Sequence, residues 1–402
     1  MDFTFTKEQE MIRRDVREFG EFEIEPYMEE IEEKGAIPNE IIKEMAEIGI
    51  LCMSVDSKYG GINADPVTVG IVAEELARAD ISCAIPTFFL VEAAWGSILD
   101  RYGTEEAKQA ILPDAAKGEA FIGIAATEPD VGSDLANMIT VAKKTEDGYK
   151  LNGAKMFISG IKEVMNQLPK GGGYVTLAKT EPKNGARGIS LFYLPLSKAD
   201  GVSPTTFEDW GRKGISSGGF MLSDVSIPKE YLIGQENKGF YTAMEGFDYA
   251  RTIIACVCCG ASMKSLEIAM EYIKERTAFG TPIGKYEAIQ MKLAEHWSKI
   301  RAARHLAYEA LWTLGREIEN KGAKRFETSM KCAQAKLLAP QFAFEAINDA
   351  IQWFGAFGYT TGCDLHIPLK AVRSYYWAEG SREIMALIVA RELLGKDFVA
   401  YR

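Results

Sequence analysis

At 402 residues the chain is long enough for two or three domains, each burying a core of its own. Its 47% hydrophobic and 26% charged residues are close to the average of globular proteins, and no uninterrupted apolar run approaches the roughly 18 residues of a membrane span. A net charge of −11 argues against a general nucleic-acid surface, because neutralising phosphates requires clustered Lys and Arg.

Seven cysteines lack metal-ligand spacing and sit among apolar neighbours, where thiols act as small buried hydrophobes. Three histidines, none in an HxxxH or HxH pair, leave little from which to build a histidine metal site or a Ser-His hydrolase. Catalysis is therefore expected from carboxylates or a cofactor. The opening MDFTFTKEQEMIRRDV lacks the apolar core of a secretory signal, so a cytoplasmic location is expected.

From residue 1 to about 120 the pattern is helical, as in PNEIIKEMAEIGIL, where Ile41, Ile42, Met45, Ile48 and Leu51 recur at three- and four-residue spacing. Between 121 and 233 the texture changes to short β-rich runs, FIGIAAT, YKLNGAKMFIS, GGYVTLAKT and GISLFYLPL, and Asp147-Gly148 is a hairpin signal. From 234 to 402 long amphipathic segments return, predicted at about 240–277, 287–319, 326–353 and 379–394. Helix, sheet and helix in blocks argue against the alternating rhythm of a doubly wound fold, and no GxGxxG follows a strand.

Three segments carry chemistry on their own residues. TEPDVGSD at 127–134 is a polar, glycine-containing loop that reads either as a connector or as a donor set for an anion or heterocycle. RTAFGTPIG at 276–284 offers an arginine, a phenylalanine and glycines to a phosphate and a ring, although a helix C-cap explains the glycines equally well. AEGSREI at 378–384 places Glu379 just before an apolar helical run, as a helix-start acid stabilised by the macrodipole or as a functional carboxylate.

Taken in order, these segments resemble the acyl-CoA dehydrogenase family over essentially the whole chain. TEPDVGSD stands where the family has TEPxxGSD, KMFISG where it has KxWITN, then DVSIPKEYLIG with GQENKGF, RTAFGTPIG, QWFGAFGY, and AEGSREIMALIVAR for YEGTxxIxxxxIAR. The resemblance implies an N-terminal all-α domain, a central β-barrel-like domain and a C-terminal four-helix bundle, assembled as a homotetramer (a dimer of dimers). It also implies FAD, held between the β-domain and the C-terminal helices with a share of each site lent by a neighbouring subunit.

Carried over residue by residue, the flavin contacts are Ile124, Ala126, Thr127 and Ser133 in the first loop and Phe157, Ile158 and Ser159 in the second. Phe157 replaces the usual tryptophan, which keeps a ring but loses the indole donor. Arg276 and Phe279 match the pyrophosphate and adenine side, from the partner subunit, Gln352, Gly355 and Ala356 the adenosine cradle, and Ser381 and Glu383 the stretch beside the catalytic position. For the CoA substrate the similar positions are Ser133, Asp248, Tyr249 and Arg251 of FDYAR, Gly380, and Arg391, although Arg251 on its own residues also reads as one half of a helix salt bridge.

By the same resemblance Glu379 takes the α-proton of an acyl-CoA thioester while the β-hydride passes to flavin N5, and electrons go on to electron-transferring flavoprotein. Relatives that keep the base on the FDYAR helix have a carboxylate where this chain has Ala250. Phe88 and Phe89 in AIPTFFLVE suggest a short, branched or cyclic acyl group, or are core residues. Ile85 stands where glutaryl-CoA dehydrogenases carry an arginine, and Glu92 reads as a second acid in the pocket or, by ordinary burial preferences, as a solvated or interhelical glutamate. The run at 161–173 looks longer than usual in the family and is expected to be a surface insertion. Rival readings within the family are an acyl-CoA oxidase and a lyase on the same type of thioester.

Overall fold

The structure is a computed structural model that describes residues 4–400; residues 1–3 and 401–402, the outer ends of the first and last segments above, lie outside the described residues. The chain begins with helices α1 (Lys7–Phe19), α2 (Met28–Lys34), α3 (Asn39–Glu47), α4 (Pro66–Ala79), α5 (Ala84–Tyr102) and α6 (Glu105–Ala116). Their starts are capped as the sequence directs: Thr6 and Gln9 form a capping box at α1, Asp65 takes the Val67 and Thr68 N–H groups at α4, and Thr104 caps α6. α4 and α5 are buried over most of their length, so their carboxylates need partners. Glu75 meets Arg13 and Arg17 of α1, which ties α4 to that helix.

The chain then turns to strands: β1 (Ala120–Ala125), β2 (Val141–Lys144), β3 (Gly148–Ser159), β4 (Gly171–Lys179), β5 (Ile189–Leu194), β6 (Val202–Phe207), β7 (Ser217–Pro228) and β8 (Leu232–Ile233). They form one eight-stranded sheet in the order β6-β7-β3-β2-β4-β5-β8, with β1 added in parallel to β4. β4 and β5 are buried along their whole length, in keeping with their mostly apolar sequences. The β3–β7 register shifts between Met156 and Ile158; this bulge turns Phe157 outward and Ile158 into the core.

The last part comprises α7 (Gly239–Glu275), the short hairpin β9 (Thr277–Ala278) and β10 (Thr281–Pro282), α8 (Glu287–Ile318), α9 (Arg325–Trp353), α10 (His366–Ser374) and α11 (Arg382–Leu394). α7 is long and apolar enough to cross a membrane, but most of its apolar stretch is buried against α4, α5, α8 and α9 as the central core helix. Its apolar character was not legible as one run because Asp248, Arg251 and Thr252 interrupt it, and all three are buried. The seven cysteines are free and buried.

The segment at 161–173 corrects the expectation of a surface insertion. It forms a π-helical turn, Glu163–Gln167, whose buried Glu163 carboxylate accepts from the Ser216 N–H and hydroxyl. Gln167 donates to the Ile37 carbonyl at 2.7 Å, stitching the turn to the entry of α3. The run is a connector between the sheet and the N-terminal helices.

Candidate active site

Glu379 was expected to start a helix. Instead α11 begins at Arg382, capped by the Ser381 hydroxyl, which accepts from the Ile384 N–H at 3.3 Å. Glu379 and Gly380 precede it in a turn with φ of +59° and +112°. The second position suits glycine because side chains rarely adopt a φ of +112°. At the first, a glutamate holds a conformation that residues with a Cβ avoid, a strain characteristic of functional sites.

The turn is fastened from two helices. Arg251 of α7 donates from Nε to the Glu379 carbonyl at 2.9 Å, and its Nη1 donates to Asp248 at 2.7 Å. Asp248, wholly buried, also pairs with Arg325 of α9 at 2.6 Å. From α9, the buried Lys336 donates to the carbonyls of Tyr376, at 3.3 Å, and Gly380. Glu379 is half-buried, and its Oε2 lies buried without a hydrogen-bond partner. Burial pushes this carboxyl up to about 7, against the opposing charges of Arg251 and Lys336.

The two segments matched to flavin lie side by side, since the Met156 N–H donates to the Thr127 carbonyl at 2.9 Å. Glu128, read only as part of a loop, organises them. Its buried carboxylate accepts from the N–H groups of Ile139 (2.6 Å) and Thr140 (2.9 Å) and from Lys155 of β3 (3.0 Å). Burial pushes Glu128 up, but the Lys155 charge and these N–H groups outweigh it and hold the carboxyl below its usual range. Lys155 also reaches the Ala126 carbonyl at 3.0 Å, so one ammonium joins both segments. An EP pair in a loop and a lysine on a strand, 27 residues apart, are the signal that could have found this.

Of the predicted contacts, Thr127, Ile124 and Ser159 are half-buried and Ser133 is exposed, whereas Ala126 and Ile158 are buried and can meet a ligand only through their backbone. Phe157 is 70% exposed at φ +60°, with Phe207 at 5.8 Å. A large apolar ring held outward against backbone preference suits a flat heterocycle, so the residues fit FAD. Arg276 and Phe279 are exposed on the β9–β10 hairpin. Gln352, Gly355 and Ala356 are exposed at the end of α9, and stacking of Tyr272 on Phe354 at 4.0 Å brings this group to the same end of α7 as the hairpin.

Asp248, Tyr249 and Arg251 are buried rather than lining a surface, and the first and last are committed to holding the Glu379 turn. Arg391 lies near the start of α9, its guanidinium 5.6 Å from the Phe326 ring and bonded to Glu392. Ser381 is engaged as a cap, and Glu383 is exposed. Phe88 and Phe89 are both buried, and Phe88 packs on Phe121 at 5.0 Å. Glu92 corrects the expectation of a solvated acid: it is wholly buried, neither oxygen has a well-formed hydrogen bond, and burial holds its carboxyl well above the usual range against the nearby Ile122 backbone.

A half-buried carboxylate with one unpartnered oxygen on a strained turn and an outward aromatic ring on the sheet thus stand in a fold of helices, sheet and helices. Three family models match in succession: acyl-CoA dehydrogenase N-terminal domain at 6–119, middle domain at 123–225 and C-terminal domain at 237–394. The chain belongs to the acyl-CoA dehydrogenase family, which is FAD-dependent and acts on CoA thioesters. It is 34% identical to a 3-(aryl)acrylate reductase of Clostridium sporogenes over 97% of this chain and 99% of that protein. Among solved structures it resembles a chain of the electron transferring flavoprotein study of Acidaminococcus fermentans (TM-score 0.90, 31% identity, 98% of this chain and 100% of that one). It also resembles butyryl-CoA dehydrogenase of Megasphaera elsdenii (TM-score 0.89, 28% identity, 98% and 100%).

Proposed function

We propose that the protein introduces or removes an α,β double bond in a short, branched, cyclic or aryl-bearing acyl-CoA, with Glu379 as the group that moves the α-proton. The observation that carries this is the place of Glu379, on a strained turn with its Oε2 buried and unpartnered; burial raises the carboxyl to about 7, where it can exchange a proton near neutral pH. FAD, when bound, supplies the hydride acceptor. The bulge at Phe157 and the Thr127 segment would hold its ring system, and the exposed Arg276, Phe279 and Gln352 group would serve the adenosine end of a neighbouring subunit's cofactor in a homotetramer.

Ala250 on α7 offers no competing carboxylate, and the Glu379 turn, fixed at its carbonyl by Arg251, keeps the base in one place while a substrate binds. The substrate range is supported by the buried Phe88 and Phe89 on α5 and by the names of the butyryl-CoA and arylacrylate relatives. Electron-transferring flavoprotein is the proposed electron partner, supported by the Acidaminococcus fermentans neighbour. The test is anaerobic bleaching of the flavin by a panel of straight, branched, cyclic and aryl acyl-CoA esters. Bleaching by at least one, abolished in Glu379→Gln with the flavin retained, is expected; full turnover by that variant would overturn the assignment.

A further inference from the structure

Lys336 stands in mid-α9 with Cys332 one turn before it and Ala339 and Ala343 after it, all buried, so the helix carries its ammonium on the apolar face. It is 1% exposed. A lysine so placed loses its hydration and must replace it with protein acceptors. The acceptors it finds are the carbonyls of Tyr376 and Gly380, on either side of the Glu379 turn, while Arg251 takes the carbonyl of Glu379 itself. Three carbonyls of a five-residue stretch thus face two cations carried by two different helices. The stretch contains two successive left-handed residues, a conformation unfavourable for a glutamate, and hydrogen bonds to charged donors are the stronger kind.

We infer that Lys336 is a positioning residue for the base: its ammonium bridges Tyr376 and Gly380, fixes the turn that aims Glu379, and favours the ionised form of that carboxylate. The inference rests on the reading of Glu379 as the proton-moving group. Lys336 faces Arg251 and Cys258 of α7, Glu379 in the turn and Glu383 of α11; Glu379 faces Arg251 and Lys336. Burial, with Arg251, brings the lysine down to about 7, while the carboxylates and Cys258 oppose that loss of charge. The working form has Glu379 ionised and Lys336 protonated, and the two titrate as a coupled pair. Rate therefore rises with pH as the acid ionises and falls again as the lysine discharges.

The experiment measures kcat, KM and the pH profile, per bound flavin, for the parent enzyme, Lys336→Met and Lys336→Gln, with Glu379→Gln in parallel. The parent is expected to give a bell. Lys336→Met should lose roughly ten- to a hundredfold in kcat with little change in KM, as expected for a misaimed group. Its acid limb should move to higher pH and its alkaline limb should vanish. Lys336→Gln keeps a donor without the charge, so it should recover part of kcat and still lack the alkaline limb; it also carries the test if the Met variant does not fold. A folded variant that melts earlier yet keeps the parent's kcat per flavin and both limbs overturns the inference. Turnover by Glu379→Gln overturns instead the reading of the base, whatever Lys336 does.

Discussion

Arg251 joins Asp248 to the main chain of Glu379: one guanidinium donates to the Asp248 carboxylate at 2.7 Å and to the Glu379 carbonyl at 2.9 Å. The arginine is 5% exposed and the aspartate wholly buried, so neither can fall back on water. Arg251→Met should leave Asp248 with Arg325 as its remaining ion pair and free the Glu379 carbonyl. Breaking a buried pair by removing one partner costs about 3–5 kcal/mol. Denaturant unfolding should show that loss, and kcat per flavin should fall further than the stability change explains.

The Glu379 carboxyl has an ordinary value of 4.5 and stands at about 7 in the fold. Between these values the native protein binds the extra proton, so its stability falls as pH rises from 4.5 to 7 and the full penalty persists above 7. Glu379→Gln removes the titration. Its melting temperature relative to the parent should therefore be higher at pH 8 than at pH 5, by calorimetry at both values. An equal difference at the two pH values would mean that the acid is not held protonated by the fold.

Glu128 fastens both segments proposed to hold the flavin, through Lys155 and the Ile139 and Thr140 N–H groups. Glu128→Gln should cost about 3–5 kcal/mol, because it leaves Lys155 charged and buried without its counter-ion. Adding Lys155→Met should recover part of the loss, since two neutral groups are cheaper to bury than one lone charge. Chemical denaturation reads the stability. The ratio of flavin to protein absorbance should fall in both variants, because the Ala126 and Thr127 segment is held less firmly to β3, with the Met156 N–H bond to Thr127 remaining.

The block pattern of helix, strand and helix was legible because burial follows the periodicity, and the helices from α7 to α9 lie within two residues of their expected limits. The Glu379 turn was not, because Glu379 and Gly380 directly precede the helical run and only the backbone shows that α11 begins at Arg382, after two positive φ angles. Lys336 was passed over since a lysine on a helix ordinarily faces water; the sign that it does not is its spacing from Cys332, Ala339 and Ala343. The 161–173 run reads as polar loop, and only its contact with Ser216 shows that Glu163 is internal. These misses share a cause, for each is a polar group whose partner lies far along the chain.

Phe157 pairs a left-handed backbone with an outward ring, two costs at once. Phe157→Gly should stabilise the flavin-free protein by about 1–2 kcal/mol through relief of the left-handed strain. The same change should weaken flavin retention about tenfold, in line with the roughly 0.5–1.5 kcal/mol of a ring–ring contact. Thermal melts of the apoprotein and flavin titration separate the two effects. A variant that loses apoprotein stability would show that the ring is packed for the fold and not for the cofactor.

Glu92 is the only charged residue between Asp80 and Asp100, in the middle of a helix whose neighbours are apolar, and neither of its oxygens has a well-formed hydrogen bond, the Ile122 backbone being the polar group beside it. Burial keeps it protonated, so its cost to the fold grows as pH rises above the ordinary carboxylate range. Glu92→Leu replaces an unsatisfied group by an apolar one and should raise stability by about 1–3 kcal/mol, more at pH 8 than at pH 5. Glu92→Gln should gain less, because an amide in that place has unmet donors and acceptors of its own. If the leucine variant is less stable at both pH values, the carboxyl has a partner inside the fold.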